Sequence, residues 1–299
     1  MPGKGVITSM IILSYLLYYL VILPISLLPF PVLYGLSNVL YFFLYRIFGY
    51  RKKVVITNLR NSFPQKSEVE IRKIAGLFYR HLCDVIVESL KSFTISQQEI
   101  FQRLVLTNPD LLNSYYDKGK SIILSGGHYN NWEWIAVGLD QQVKHQTVAI
   151  YKTLTNNFFD EKMRNTRSRY GLLMISTKKV KSFLEESRDQ LTATIFANDQ
   201  SPRKTDNNFW MKFLNQDTAV PFGAEKFAKE YNYPVLFGCI NKVKRGFYTI
   251  TFEVVENDPV NSPHGYISEK TTKLLEEQII KEPQYWLWTH RRWKHKRNS

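Results

Sequence analysis

Nine residues constrain the fold most: Ser125-Gly126-Gly127-His128-Tyr129-Asn130-Asn131-Trp132-Glu133. They end one apolar run, Ser121-Ile122-Ile123-Leu124, and open another, Trp134-Ile135-Ala136-Val137. The first run is short, β-branched and bounded by glycines, which predicts a buried strand. The second predicts a helix entered through Asn130 or Asn131 as its N-cap. On one continuous helix, residues five apart lie about 140° round the axis from each other and share no face. His128 and Glu133 can therefore meet only if His128 stands in the turn and Glu133 in the first helical turn. Gly126 and Gly127 supply the backbone freedom for that turn.

A carboxylate at a helix N-terminus suits the local dipole. Such a group can accept from one imidazole nitrogen and leave the other free to take a proton. The plain alternative is a packed histidine beside an ordinary first-turn acid. The double glycine, the turn and the flanking Trp132 and Trp134 favour a catalytic pair, His128 as base and Glu133 as its orienting partner.

The stretch Gly127-His128-Tyr129-Asn130-Asn131-Trp132-Glu133 resembles the Gly-His-x-Gly-Asn-Trp-Glu signature of the lipid A late acyltransferases. These belong to the wider His-x4-Asp/Glu glycerolipid acyltransferase group. Asn130 stands where the family has a second glycine, and asparagine is the residue most tolerant of positive φ after glycine. The resemblance implies transfer of a fatty acyl chain from acyl carrier protein to a hydroxyl of a lipid A precursor. It implies no cofactor, and the sequence holds no metal-ligand cluster. Coenzyme A as donor stays open. So do other acceptors (an aminolipid, glycolipid or pigment) and a non-catalytic protein that binds anionic lipid.

Forty Lys and Arg against 26 Asp and Glu leave a formal charge of +14. That suits an anionic membrane surface, an acidic protein or nucleic acid. No zinc-finger spacing or ribonucleoprotein motif is present, so nucleic acid is not expected as a partner. Val6 to Leu28 is apolar and free of charged side chains, long enough for one membrane-anchoring helix. Val32 to Phe48 is rich in aromatics and predicts a helix lying in the interface. Arg51, Lys52 and Lys53 follow, which places the body on the cytoplasmic side. The expected division is residues 1–48 as anchor and 49–299 as acyltransferase domain. The expected location is the inner membrane, cytoplasmic face, single-pass or monotopic. Cys83 and Cys239 have no metal spacing and read as buried free thiols.

Strand and helix alternate beyond the motif, predicting an α/β fold with a mixed central sheet flanked by helices, glycerolipid acyltransferase-like. Ser67 three residues before Glu70 predicts a capping box at the head of a long amphipathic helix. Arg164 and Arg167 are three apart on a predicted helix and share a face suited to phosphate. The segment from Tyr151 to Arg169 resembles the family's arginine-bearing stretch, with Lys152 and Asn157 as departures. Asn198-Asp199-Gln200 ends a buried strand, where α/β sheets place their sites. The resemblance gives Asp199 a part in the acceptor site, alongside Asn131, Arg164 and Arg167 as substrate-binding residues. The polar stretch Ser201 to Asn208 is expected near the entrance. The C-terminal Pro283-Gln284-Tyr285-Trp286-Leu287-Trp288-Thr289-His290-Arg291-Arg292-Trp293-Lys294 resembles the family's tryptophan-rich end. Indoles amid cations suit a membrane interface, packing on the core, or both.

Overall fold

The computed structural model describes residues 4–202 and 209–297, with side chains from residue 11 onward. Most of the stretch Ser201 to Asn208 and the first residues of the expected anchor, Val6 included, thus lie outside the described side chains.

Helix α1 (Lys4–Leu17) continues through a π-helical turn at Tyr18–Ile22 into α2 (Leu23–Leu27). Pro24 does not break it; it follows directly on the π-helical turn, in which the Leu23 amide reaches back to the Tyr18 carbonyl. The break falls at Leu28 and Pro29, both extended. Helix α3 (Phe30–Tyr41) then runs into a second π-helical turn at Phe42–Ile47. Among the residues with described side chains, Phe30–Ile47 is long and apolar enough to cross a membrane. One side of these helices rests on the body through Leu33 and Ser37, both buried, while Leu20, Leu27 and Phe48 stay exposed.

Helices α4 (Lys52–Ser62) and α5 (Glu68–Lys91) follow, the second opening in the predicted Ser67–Glu70 capping box. Then come α6 (Gln97–Arg103), β1 (Leu104–Leu106), α7 (Pro109–Tyr116), β2 (Ile122–Gly126) and α8 (Trp132–Gly138). Strand and helix alternate through β3 (Gln146–Tyr151), α9 (Asn157–Arg167), β4 (Leu173–Ser176), α10 (Val180–Glu186) and β5 (Thr192–Ala197). A two-stranded hairpin, β6 (Phe209–Phe213) and β7 (Gln216–Val220), comes next. The chain closes with α11 (Gly223–Tyr231), β8 (Val235–Lys244), β9 (Phe247–Glu256) and α12 (Tyr266–Lys281).

Seven strands form one mixed sheet in the order β1-β9-β8-β2-β5-β3-β4. The β8–β9 pair is antiparallel and every other pair is parallel. Side chains alternate between the two faces of a strand, and β2 uses both. Ile123 joins the core formed with α4, α5, α11 and α12, whereas Ile122 and Leu124 join the core under α6, α7 and α8. Burial on both faces explains why the strand reads as a continuous apolar run instead of an alternating one.

At the tryptophan-rich end, two of the three indoles are packed into the core. Trp286 is 2% and Trp288 0% exposed, packed among Phe63, Phe213 and Trp293. Their bulk suits a core, and each indole N–H is satisfied there: Trp288 donates to the Pro283 carbonyl at 2.6 Å.

Candidate active site

The motif leaves the sheet at the carboxyl end of β2. Gly126 pairs with Ala197 of the neighbouring parallel strand β5. His128 and Asp199 each lie two residues beyond that pair, so register alone carries them out of the sheet side by side. Gly127 has no room for a side chain: a Cβ there would come within 2.7 Å of Leu275 and 3.3 Å of the Asp199 carboxyl carbon. Asn130 takes φ 50°, the left-handed conformation its residue type tolerates. Asn131 is the N-cap of α8, its side-chain oxygen accepting from the Trp134 amide at 3.2 Å.

The acid on His128 is Asp199, not Glu133. His128 Nδ1 is 2.7 Å from Asp199 Oδ1, and the His128 backbone amide donates to Oδ2 at 2.9 Å. The indole of Trp286 donates to the same Oδ2 at 2.9 Å. Burial alone would raise the Asp199 carboxyl, but His128 and these donors outweigh it and bring its pKa down to about 2. Burial likewise disfavours the imidazolium, yet the adjoining Asp199 charge lifts His128 above its ordinary value. Arg292 is buried near this carboxylate, and desolvation pushes its guanidinium down to about 10. With Nδ1–H given to Asp199, Nε2 carries the lone pair. The Gln200 amide lies 3.2 Å from it and can donate to it.

Glu133 faces a different partner. Both of its oxygens accept from Arg167 Nη2, at 3.0 and 2.7 Å, and Oε1 also accepts from the Trp132 indole at 3.2 Å. Helix α9 brings Arg167 there, so the expected His128–Glu133 hydrogen bond is replaced by a Glu133–Arg167 ion pair. Asp199 fills the Nδ1 position, while the Glu133 charge still reaches His128 and adds to its lift.

The remaining predicted residues separate. Arg167 lines the open cleft of about 520 Å³ above His128, with Tyr151, Lys152, Asn198 and Gln200. Arg164 pairs with Asp160 at 3.7 Å and lines a neighbouring hollow with Asn157 and Lys179. The two arginines therefore do not close on one point. Asn131 is fully buried, and its amide nitrogen is given to Glu88 at 2.6 Å; it lines neither hollow.

A narrow apolar cavity of about 120 Å³ opens at His128 and runs between α8 and the sheet. Ile135 and Leu139 wall it from the helix, and Ile195, Ile240 and Phe252 from the strands. Gly238 lets the Phe252 ring approach so closely that a Cβ there would stand 2.9 Å from it.

Sequence reasoning missed Trp286, Arg292 and Gln200 as neighbours of the histidine. Gln200 was within reach, since it adjoins the Asp199 strand end. Trp286 and Arg292 lie more than 150 residues from His128 in the chain, and no local pattern signals that contact.

An acid-backed histidine at a strand end, beside an apolar channel, has the parts of an acyl-transfer site, and the comparison with known families places the chain in that class. A sequence model of the bacterial lipid A biosynthesis acyltransferases matches residues 4–295. The chain belongs to that family and is an acyltransferase of lipid A biosynthesis. No curated protein matches it.

Proposed function

We propose that the protein moves a fatty acyl chain from acyl carrier protein to a hydroxyl of a lipid A precursor, with His128 as general base. The observation that carries this reading is the His128–Asp199 pair, Nδ1 bound at 2.7 Å, at the mouth of an apolar cavity. In this reading the acyl chain lies in the cavity and the acceptor enters the cleft lined by Lys152 and Arg167. The acceptor hydroxyl takes the place of the Gln200 amide at Nε2. Nε2 removes its proton, and the oxygen attacks the thioester carbonyl. The ester C–O bond forms, the C–S bond breaks, and the thiolate recovers the proton from the imidazolium. Asp199 fixes the tautomer and steadies the imidazolium.

Glu133 holds Arg167, whose guanidinium stands over the cleft. Arg167 would stabilise the negative charge that develops on the carbonyl oxygen or bind an acceptor phosphate. The basic surface would steer acidic acyl carrier protein to the cleft. Residues 1–48 would hold the protein at the cytoplasmic face of the inner membrane, and residues 49–299 would carry the chemistry. Several exposed apolar side chains between Ile11 and Phe48 support that division.

The test is acyl transfer in detergent from labelled acyl carrier protein to a tetra- or penta-acylated lipid A precursor. His128→Ala is expected to lower turnover by about 10²–10⁴-fold while lipid binding persists. A folded wild-type protein that transfers nothing to this acceptor would remove the lipid A precursor as substrate.

A further inference from the structure

Glu88, in the middle of α5, is 0% exposed and lies outside the cleft. Three neutral groups from three different elements meet its carboxylate. Tyr34 of α3 donates to Oε1 at 2.9 Å. Asn131, the N-cap of α8, donates to Oε2 at 2.6 Å, and Tyr248 of β9 donates to Oε2 at 2.9 Å. A fourth tie reaches the same residue, since the Trp134 indole donates to the Glu88 carbonyl at 3.2 Å.

No ion pair among the described residues includes Glu88. The nearby cations are committed one helical turn away, where Lys242 and Arg245 pair with Asp84 at 3.6 and 2.5 Å. On the same helix, burial keeps the His81 imidazole well below its ordinary value and therefore neutral. Arg103 of α6 stacks on Phe30 and Phe247 and also bonds Glu99. A buried carboxylate without a cation is costly, and an apolar residue of similar volume would avoid that cost. What the carboxylate provides is several acceptor positions at one point, which no neutral side chain of that length matches.

The helices from the membrane-facing region, the central sheet and the catalytic turn are thus tied at one side chain. Asn131 stands three residues after His128 and two before Glu133. Its cap geometry sets where α8 begins, and so where Glu133 meets Arg167.

We propose that Glu88 is a positioning residue for the acyl-transfer site: it holds the Asn131 cap, and with it the His128–Glu133 turn, against Tyr34 of the N-terminal helices. The proposal rests on His128 as the catalytic base, so the test reads both turnover and a property independent of turnover. The full-length Glu88→Leu, Glu88→Gln and Tyr34→Phe variants are compared with wild type in detergent. Steady-state transfer from labelled acyl carrier protein is measured beside hydrogen exchange of the peptide spanning residues 128–138.

Leucine keeps the volume and removes every acceptor. It should lower kcat by about tenfold or more with KM within about twofold, as a small displacement of catalytic groups does. Glutamine retains an acceptor oxygen for Asn131 and should recover most of that loss. Tyr34→Phe leaves the packing intact and should lower kcat by about threefold. In Glu88→Leu and Tyr34→Phe, exchange should quicken in residues 128–138 before it does in the sheet.

Should Glu88→Leu not fold, Tyr34→Phe carries the test alone. Unchanged kcat in a folded Glu88→Leu, or in Tyr34→Phe in that case, would overturn the proposal. So would a loss confined to KM, or exchange that quickens equally throughout the molecule. If wild type itself shows no transfer, the reading of the substrate fails, while the exchange pattern still decides the role of Glu88.

Discussion

Asp199 and Glu88 are both buried acids, and both bind the motif turn, but their surroundings drive them apart. Asp199 receives the His128 ring, the His128 amide and the Trp286 indole, and burial notwithstanding its pKa falls to about 2. Glu88 is pushed up to about 7 by burial, which the hydroxyls of Tyr34 and Tyr248 only partly offset. The difference lies in the partner's charge. An imidazole that can become cationic stabilises a carboxylate by direct attraction, whereas neutral donors only replace the water that was lost. The first acid can therefore support proton transfer; the second arranges backbone and side chains around itself.

The largest expected effect comes from making the same chemical change, acid to amide, at both sites. Asp199→Asn offers an N–H toward His128 Nδ1, which favours the tautomer with its proton on Nε2 and removes the base. Turnover should fall by about 10²–10⁴-fold, against less than tenfold for Glu88→Gln. The pH profile of kcat/KM gives a second readout. If His128 is the base, its lifted pKa places the acid limb of wild type above 6.5, because the imidazole would have to be neutral to act. In Asp199→Asn the remaining activity should show that limb at lower pH, since the attraction that lifts His128 is gone. Equal losses at the two sites would end the distinction between them.

The next effect separates Asp199 from Glu133. If Glu133 acts through its ion pair with Arg167, then Glu133→Gln and Arg167→Lys remove one function between them. Each single variant and the double variant should then lose turnover by a similar factor, about tenfold or more. Losses that multiply in the double variant would show that Glu133 serves His128 in its own right. A smaller effect is expected at Trp286→Phe, which keeps an aromatic ring in the core but withdraws one donor from Asp199. A hydrogen bond to a charged group contributes about 1.5–3 kcal/mol, so denaturant unfolding should register a loss of that order. Activity should decline by several-fold with the acid limb little moved.

How far the sequence predicted these residues depends on the distance over which each is placed. The strand, the turn and an asparagine cap, at Asn130 or Asn131, follow from neighbours within a few positions. The Ser67–Glu70 capping box is equally local, and all of them formed as expected. The partnership of His128 with Asp199 depends on β2 lying next to β5 in one register, 71 residues apart. Spacing along the chain instead suggested Glu133, which is near in sequence but turned toward α9. The tryptophan-rich end left two readings open for a related reason. Indoles beside arginines suit a headgroup layer and a polar-lined core alike, and the packing of Trp286 and Trp288 depends on Phe213 and Phe63, distant in the chain. Glu88 gave no signal, because a lone acid on an amphipathic helix ordinarily faces water.

The smallest effect concerns stability, and it tests whether Glu88 carries the strain of a buried acid. A carboxyl whose folded pKa is raised from 4.5 to about 7 favours the folded state most fully below pH 4.5. That contribution is lost as pH rises through about 7, because folding then has to bury an anion. Glu88→Gln cannot ionise and loses nothing over this window. Its melting temperature relative to wild type should therefore rise between pH 5 and pH 8, by about 2 °C or more. His128 titrates in both proteins and cancels from the difference. A melting difference that stays flat with pH would mean that Glu88 keeps an ordinary carboxyl pKa despite its burial, and the contrast with Asp199 would then be one of geometry alone.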